Sequence, residues 1–225
     1  MQRGMKRDGK DNGLRRSLIA LVGSAALGCL LIAAPALAQD LDRGEALWGL
    51  CTQCHGEDGA GNSEYLAPDI AGMPQWYAEQ QLHKFRDGIR GKQFDDIAGM
   101  RMRPMALSLR TDEDVKNVAA YVASLPPTDP DAELEGGDAA KGEQYYATCA
   151  ACHGQKGEGI EQMSAPPLNA SSDWYLKTQL SNFKAGVRGA NPADGMGAQM
   201  RGMSFTLPDD QAILDVIAYI ETLSE

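Results

Sequence analysis

The chain has 225 residues, with 21 Lys and Arg against 31 Asp and Glu, and 43% of it is hydrophobic. Without residues 1–38, which read as an export signal, 15 basic and 29 acidic residues remain, a net charge of −14. That balance argues against nucleic acid or an anionic membrane surface as a partner, and favours a protein partner with a basic docking face.

Arg3, Lys6, Arg7, Lys10, Arg15 and Arg16 form a basic leader, residues 18–34 are apolar and free of charge, and Ala36-Leu37-Ala38 is a small-residue cleavage site. The expectation is a secretory signal peptide over 1–38, cleaved after Ala38, with the mature protein in the periplasm. The apolar run approaches spanning length, so an uncleaved membrane anchor is the alternative. Cys29 lies inside that run with more apolar residues after it, a poor place for lipid attachment.

The first helix is expected over 42–50, where apolar residues recur at helical spacing, and it runs into Cys51-Thr52-Gln53-Cys54-His55. Two thiols three apart with a histidine next to the second form the pattern for covalent haem attachment. The thiols add to the porphyrin vinyl groups and the imidazole reaches the iron. A zinc half-site would need a second ligand pair nearby, and a thioredoxin-like pair would need a βαβ context and no adjacent histidine. The motif occurs again at Cys149-Ala150-Ala151-Cys152-His153, which makes coincidence a poor explanation. These four cysteines are all that remain after residue 38, so no disulfide is expected and the haems act as covalent staples.

A second amphipathic helix is expected over 74–86, stopped by Gly88. The last helix of this half has Thr111 as N-cap, Asp114 in the capping-box position, and Val115, Val118, Ala119 and Val122 on one face. Residues 126–137 contain three prolines, four acidic residues and a closing Gly136-Gly137, which reads as a solvated linker.

Beyond the linker the chain repeats itself at an offset of 98. Gly44, Trp48, Gly56, Gly59, Gly61 and Pro68 fall on Gly142, Tyr146, Gly154, Gly157, Gly159 and Pro166. Trp76-Tyr77 falls on Trp174-Tyr175, and 88–91 on 186–189. A period this long means two complete domains, 39–125 and 138–225. The second has helices expected over 139–148 and 172–184, the latter stopped by Gly186, and a last helix with Pro208 in its first turn. No stretch alternates like a strand. The class is all-α.

His55 and His153 leave one face of each iron open. The remaining histidine, His83, has Ser181 as its counterpart and reads as a solvated helix residue. A methionine thioether is a suitable sixth ligand and would raise the reduction potential. Met100, Met102 and Met105 are available in the first half, and Met196, Met200 and Met203 in the second. Only Met102/Met200 and Met105/Met203 obey the offset; the other methionines read as filling at the haem edge.

Both halves resemble class I c-type cytochromes, and the tandem arrangement resembles the dihaem cytochrome c4 family over nearly all of 40–225. In that family the axial methionine lies seven residues before the leucine introducing the final helix. The resemblance therefore implies Met102, before Leu109, and Met200, before Leu207. It also implies that the carbonyls of Pro68 and Pro166 accept the axial imidazole N–H. Gly44 and Trp48 would face Tyr121, with Gly142, Tyr146 and Tyr219 as the second copy. Trp76, Trp174, Arg90, Arg188, Arg103 and Arg201 are candidate donors to haem propionates.

Residues 174–188 and 198–207 resemble cytochrome domains fused to terminal-oxidase subunits, which suggests a terminal oxidase as redox partner. An iron with both axial positions held by protein exchanges electrons but has no place for substrate. The expected function is single-electron transfer from a bc1-type complex or dehydrogenase to a terminal oxidase or another acceptor, with no catalytic residue of its own. A tightly bound cytochrome subunit of a periplasmic, flavocytochrome-like dehydrogenase is the alternative. A dihaem peroxidase, which needs a displaceable ligand, fits the matched methionines poorly.

Overall fold

The computed structural model describes residues 39–223, and the proposed signal peptide lies outside them. The first half contains α1 (Leu41–Trp48), α2 (Thr52–His55), α3 (Gln75–Arg86), α4 (Ile97–Ser108) and α5 (Asp112–Ser124). The second contains α6 (Ala139–His153), α7 (Asp173–Ala185), α8 (Gly195–Ser204) and α9 (Asp210–Glu221). Among the described residues the only β pairing is two isolated bridges, Asn62 with Ala67 and Ile160 with Ala165. The all-α expectation holds.

Most helices start where a short polar side chain takes up a free backbone amide. Asp40 accepts from the Arg43 amide, Asp96 from Gly99, Thr111 from Asp114, Asp194 from Gly197 and Asp209 from Ala212. At the capping box expected at Thr111, the Asp114 amide donates to the Thr111 hydroxyl at 3.0 Å. The Asp114 carboxylate also accepts from Arg43 of α1 at 2.8 Å, tying the first and last helices of that half together. Pro208 lies just before the N-cap Asp209 and not inside the first turn.

Two further expectations need correction. The first half breaks between α1 and the attachment motif at Gly49-Leu50, whereas α6 is continuous through Cys149–His153. Gly49 has the helix-forming Ala147 as its counterpart, a difference of about 1 kcal/mol in helix propensity. The methionine segments, read as loop, are helices α4 and α8. Pro104 in α4 and the glycines at 99, 195, 197 and 202 are poor helix formers that hide both helices in the sequence, and their aspartate caps start them.

The strongest packing joins the terminal helices of each half, α1 with α5 and α6 with α9. Gly44 and Gly142 sit at these crossings. A β-carbon at Gly44 would collide with the Asn117 carbonyl oxygen, and one at Gly142 with the Asp215 carbonyl oxygen. The aromatic partners lie alongside, Trp48 with Tyr121 at 6.3 Å between ring centres and Tyr146 with Tyr219 at 5.3 Å. Around the second crossing, Ile213, Val216, Ile217, Ile220, Leu176 and Leu207 form a buried cluster. Each large side chain buried there contributes about 1.5–3 kcal/mol. In the first half Leu109, Val115 and Val118 form the corresponding smaller cluster. All described residues fall in one compact unit.

Candidate functional site

The attachment motifs lie at helical spacing, so residues three apart share a face. Cys51 caps α2, which holds Cys54 and His55, and Gly56 follows at a φ of 80°. Cys149, Cys152 and His153 end α6, and Gly154 follows at a φ of 85°. Both turns therefore occupy the left-handed region where glycine costs nothing. Burial pushes the Cys51 thiol up to about 11, with the neighbouring Cys54 adding to it.

Both imidazoles are buried and oriented alike. The His55 Nδ1–H donates to the Pro68 carbonyl at 2.8 Å, and the His153 Nδ1–H to the Pro166 carbonyl at 2.8 Å, which fixes the tautomer. Burial lowers both pKa values, partly opposed by those bonds, so each ring is held neutral with Nε2 free to ligate. The glycine at 61 and at 159 sets this up. Its amide donates to the carbonyl of the same histidine, at 2.8 Å and 2.7 Å, and a β-carbon there would collide with the backbone of Pro68-Asp69 or Pro166-Pro167. A hydrogen bond to the second ring nitrogen fixes ring orientation and raises ligand basicity.

A cavity of about 660 Å³ opens beside the second motif, bordered by Cys149, Cys152, His153, Met200, Met203 and Arg188 and, from the first half, by residues 69–74, Tyr77, Gln81 and Lys84. That volume is in the range of cofactor sites. Met102 and Met200 are half-buried, whereas Met105 and Met203 are 41% and 38% exposed. Among the described residues no group of three or more His, Cys, Asp or Glu is arranged to hold a metal ion.

The arginines bear on cofactor fit as well. The Nε atoms of Arg90, Arg103, Arg188 and Arg201 are buried and have no hydrogen-bond partner. They form two pairs at the 98-residue offset. Buried donors of this kind call for acceptors, and carboxylates are the strongest match for guanidinium. Paired thiols, a neutral imidazole and two unsatisfied guanidinium donors per half are what a covalently held haem with its propionates requires. The residues fit the group.

Their placement was not legible in the sequence. Arg90 donates to Gln81 of its own half at 2.8 Å and to Gln179 of the other half at 3.2 Å. Arg188 mirrors this, donating to Gln179 at 2.9 Å and to Gln81 and the Tyr77 hydroxyl, each at 3.1 Å. Each guanidinium also lies over the phenylalanine of its own half, Phe85 at 4.4 Å and Phe183 at 4.6 Å. Burial, and then the like charge of Arg188, press Arg90 below its usual range. The two halves therefore meet through a buried cationic pair bridged by neutral amides. Trp76 and Trp174 are half-buried and pack edge-on against Tyr77 and Tyr175, at 5.5 Å and 6.0 Å. His83 is half-buried on α3, less open than a solvated position would be.

Next to Pro68, the buried Asp69 accepts from the Thr128 hydroxyl at 2.6 Å and from the Ala71 amide at 3.0 Å. Burial dominates over these bonds and pushes its carboxyl up from 3.8 to about 6. The folded protein therefore holds a proton that the unfolded chain releases, so this contribution is present below the unfolded value and lost as pH rises through the folded one. Asp69→Asn is expected to flatten the decline of stability between pH 4 and pH 6, and to add about 1 kcal/mol at pH 7 after allowance for solvent screening. Denaturant unfolding at pH 4.5 and pH 7 checks this.

The family model for cytochrome c matches twice, over residues 41–126 and 139–224. The chain is 35% identical to a cytochrome c4 of Thiocapsa roseopersicina over 188 residues, which is 79% of this chain and 88% of that protein. It is 34% identical to a thiosulfate dehydrogenase electron acceptor of Stutzerimonas stutzeri over 183 residues, covering 76% and 78%. Among solved structures, reduced recombinant cytochrome c4 from Pseudomonas stutzeri superposes with a TM-score of 0.65 at 26% identity, covering 82% of this chain and 98% of that one. With two tandem domains and a covalent haem site in each, this chain belongs to the cytochrome c family and, within it, to the dihaem electron-carrying cytochromes c4.

Proposed function

We propose that Cys51 and Cys54 hold one haem and Cys149 and Cys152 the other, with His55 and Met102 as axial ligands in the first domain and His153 and Met200 in the second. The observation that carries this reading is the repeated histidine–proline hydrogen bond, which leaves one free ring nitrogen beside each cysteine pair. The partial burial of Met102 and Met200, against the exposure of Met105 and Met203, supports the methionine assignment. When bound, haem supplies a one-electron iron couple. The protein's own part is to hold both ligands and limit their movement: the imidazoles by Pro68 and Pro166, the methionines by the capped helices α4 and α8. Arg90, Arg103, Arg188 and Arg201 offer donors to propionates.

The mature protein, from residue 39, is read as a periplasmic carrier of two domains, 39–125 and 138–225, with 126–137 as linker and no catalytic residue. Among the described residues no helix is long and apolar enough to cross a membrane. It takes electrons from a bc1-type complex or a dehydrogenase and passes them to a terminal oxidase or another acceptor, docking on basic partner surfaces. Similarity to a thiosulfate dehydrogenase electron acceptor favours a dehydrogenase donor, and gives weight to a second reading as a tightly bound subunit of one. Optical redox titration of the purified protein is expected to show two one-electron, low-spin centres. Bis-histidine or five-coordinate haem in both domains would overturn the ligand assignment. Persistent co-migration with a catalytic subunit at high salt would favour the subunit reading.

A further inference from the structure

We propose that Lys84, a residue of the first domain, holds up the reduction potential of the haem in the second. The inference rests on the dihaem reading above. The Lys84 ammonium lies 2.8 Å from a carboxylate oxygen of Asp194, with the two side chains 14% and 2% exposed. Asp194 caps α8, the helix that carries Met200. Lys84 itself borders the same cavity as His153 and Met200. A positive charge from one domain thus enters the wall of the other domain's cofactor site.

The repeat supplies an internal control. The counterparts of Lys84 and Asp194 are Asn182 and Asp96. Asp96 is also buried and also caps its methionine helix, through the Gly99 amide at 2.9 Å. No ion pair to it occurs among the described residues. Both halves therefore have the capping aspartate but only one has a lysine against it, and a single residue breaks the symmetry. Reduction removes one positive charge from a haem, so a nearby cation favours the reduced state and an unpaired anion opposes it. Charges as shielded from solvent as Lys84 and Asp194 act strongly. Asp69, Glu158 and Arg188 border the cavity too, but they are common to every variant compared, so differences isolate the pair.

The test is voltammetry of the full holoprotein, with the second haem identified as the wave that moves to lower potential in Met200→Ala. Lys84→Gln leaves Asp194 unpaired and is expected to shift the second haem's reduction equilibrium roughly tenfold toward the oxidised state, about 59 mV for one electron. Asp194→Asn keeps a capping side chain and leaves the lysine charge, so it is expected to shift the same haem the opposite way. The double variant is expected to return near the parent value, as is Lys84→Arg, and the first haem should not move. A purely structural role would shift both single variants in one direction. Shifts of one sign, equal shifts at both haems, or no shift would each overturn the proposal. Should a parent spectrum lack histidine–methionine haem altogether, the underlying ligand reading fails instead.

Discussion

Met200→Ala is expected to lower the potential of one haem and leave the other in place, with a matching change in the visible spectrum of that haem alone. A thioether ligand favours the ferrous state, and axial ligation spans roughly 0.8 V across haem proteins, so losing one is among the largest changes available to a single substitution. The shift is expected to exceed that from any surface charge. Met102→Ala should do the same to the other haem. Met105→Ala and Met203→Ala serve as the comparison, since the 98-residue offset pairs them equally well. Exposed side chains of this kind are expected to change either potential little. If Met203→Ala produced the spectral change and Met200→Ala did not, the ligand would lie one helical turn further along α8. If none of the four did, methionine ligation would be wrong. Optical redox titration of the four variants reads all of these outcomes.

Gly142→Ala is expected to destabilise the second domain by about 2 kcal/mol or more, the largest loss anticipated from adding one methyl group. The new β-carbon would strike the Asp215 carbonyl oxygen and lie 2.8 Å from the Tyr219 β-carbon, so α6 and α9 would have to separate. Alanine's better helix propensity returns about 1 kcal/mol, which makes the observed figure a net one. The crossing also sets where α6 ends, and α6 carries Cys149, Cys152 and His153. Haem incorporation is therefore expected to fall together with stability. Gly44→Ala should behave alike in the first domain, where the β-carbon meets the Asn117 carbonyl and lies 2.8 Å from the Tyr121 β-carbon. Gly195→Ala is the control. It opens α8 with nothing within 4 Å of an added β-carbon, and should leave stability equal or slightly higher. Thermal unfolding with a haem-to-protein absorbance ratio distinguishes the three.

Much of the site was readable before any coordinates because its chemistry is local. Two thioethers and an adjacent imidazole on one porphyrin need residues within a turn or so of helix, so Cys51, Cys54 and His55 announce themselves, as do Cys149, Cys152 and His153. The glycines at the helix crossings were visible through the repeat, since two copies of one fold preserve the position where a side chain cannot fit. The methionine helices were missed. Residues 195–204 contain three glycines, poor helix formers that mask the helical spacing of Met196, Met200 and Met203, and the start of α8 depends on the Asp194 side chain finding the Gly197 amide.

Taken alone, the amino-acid order determined the all-α class, the doubling of the unit and the paired cysteine–histidine motifs proposed to hold each haem, because each depends on spacing along the backbone or on comparing one half with the other. Only the tertiary structure decided what the halves present to each other. Arg90 with Gln179, Arg188 with Gln81, and Lys84 with Asp194 are about ninety or more residues apart. Each of these side chains, read singly, is an ordinary polar residue on a helix or in a turn. They become a buried cationic pair and a one-sided ion pair through the meeting of two folded surfaces, and no periodicity within either half encodes how those surfaces meet.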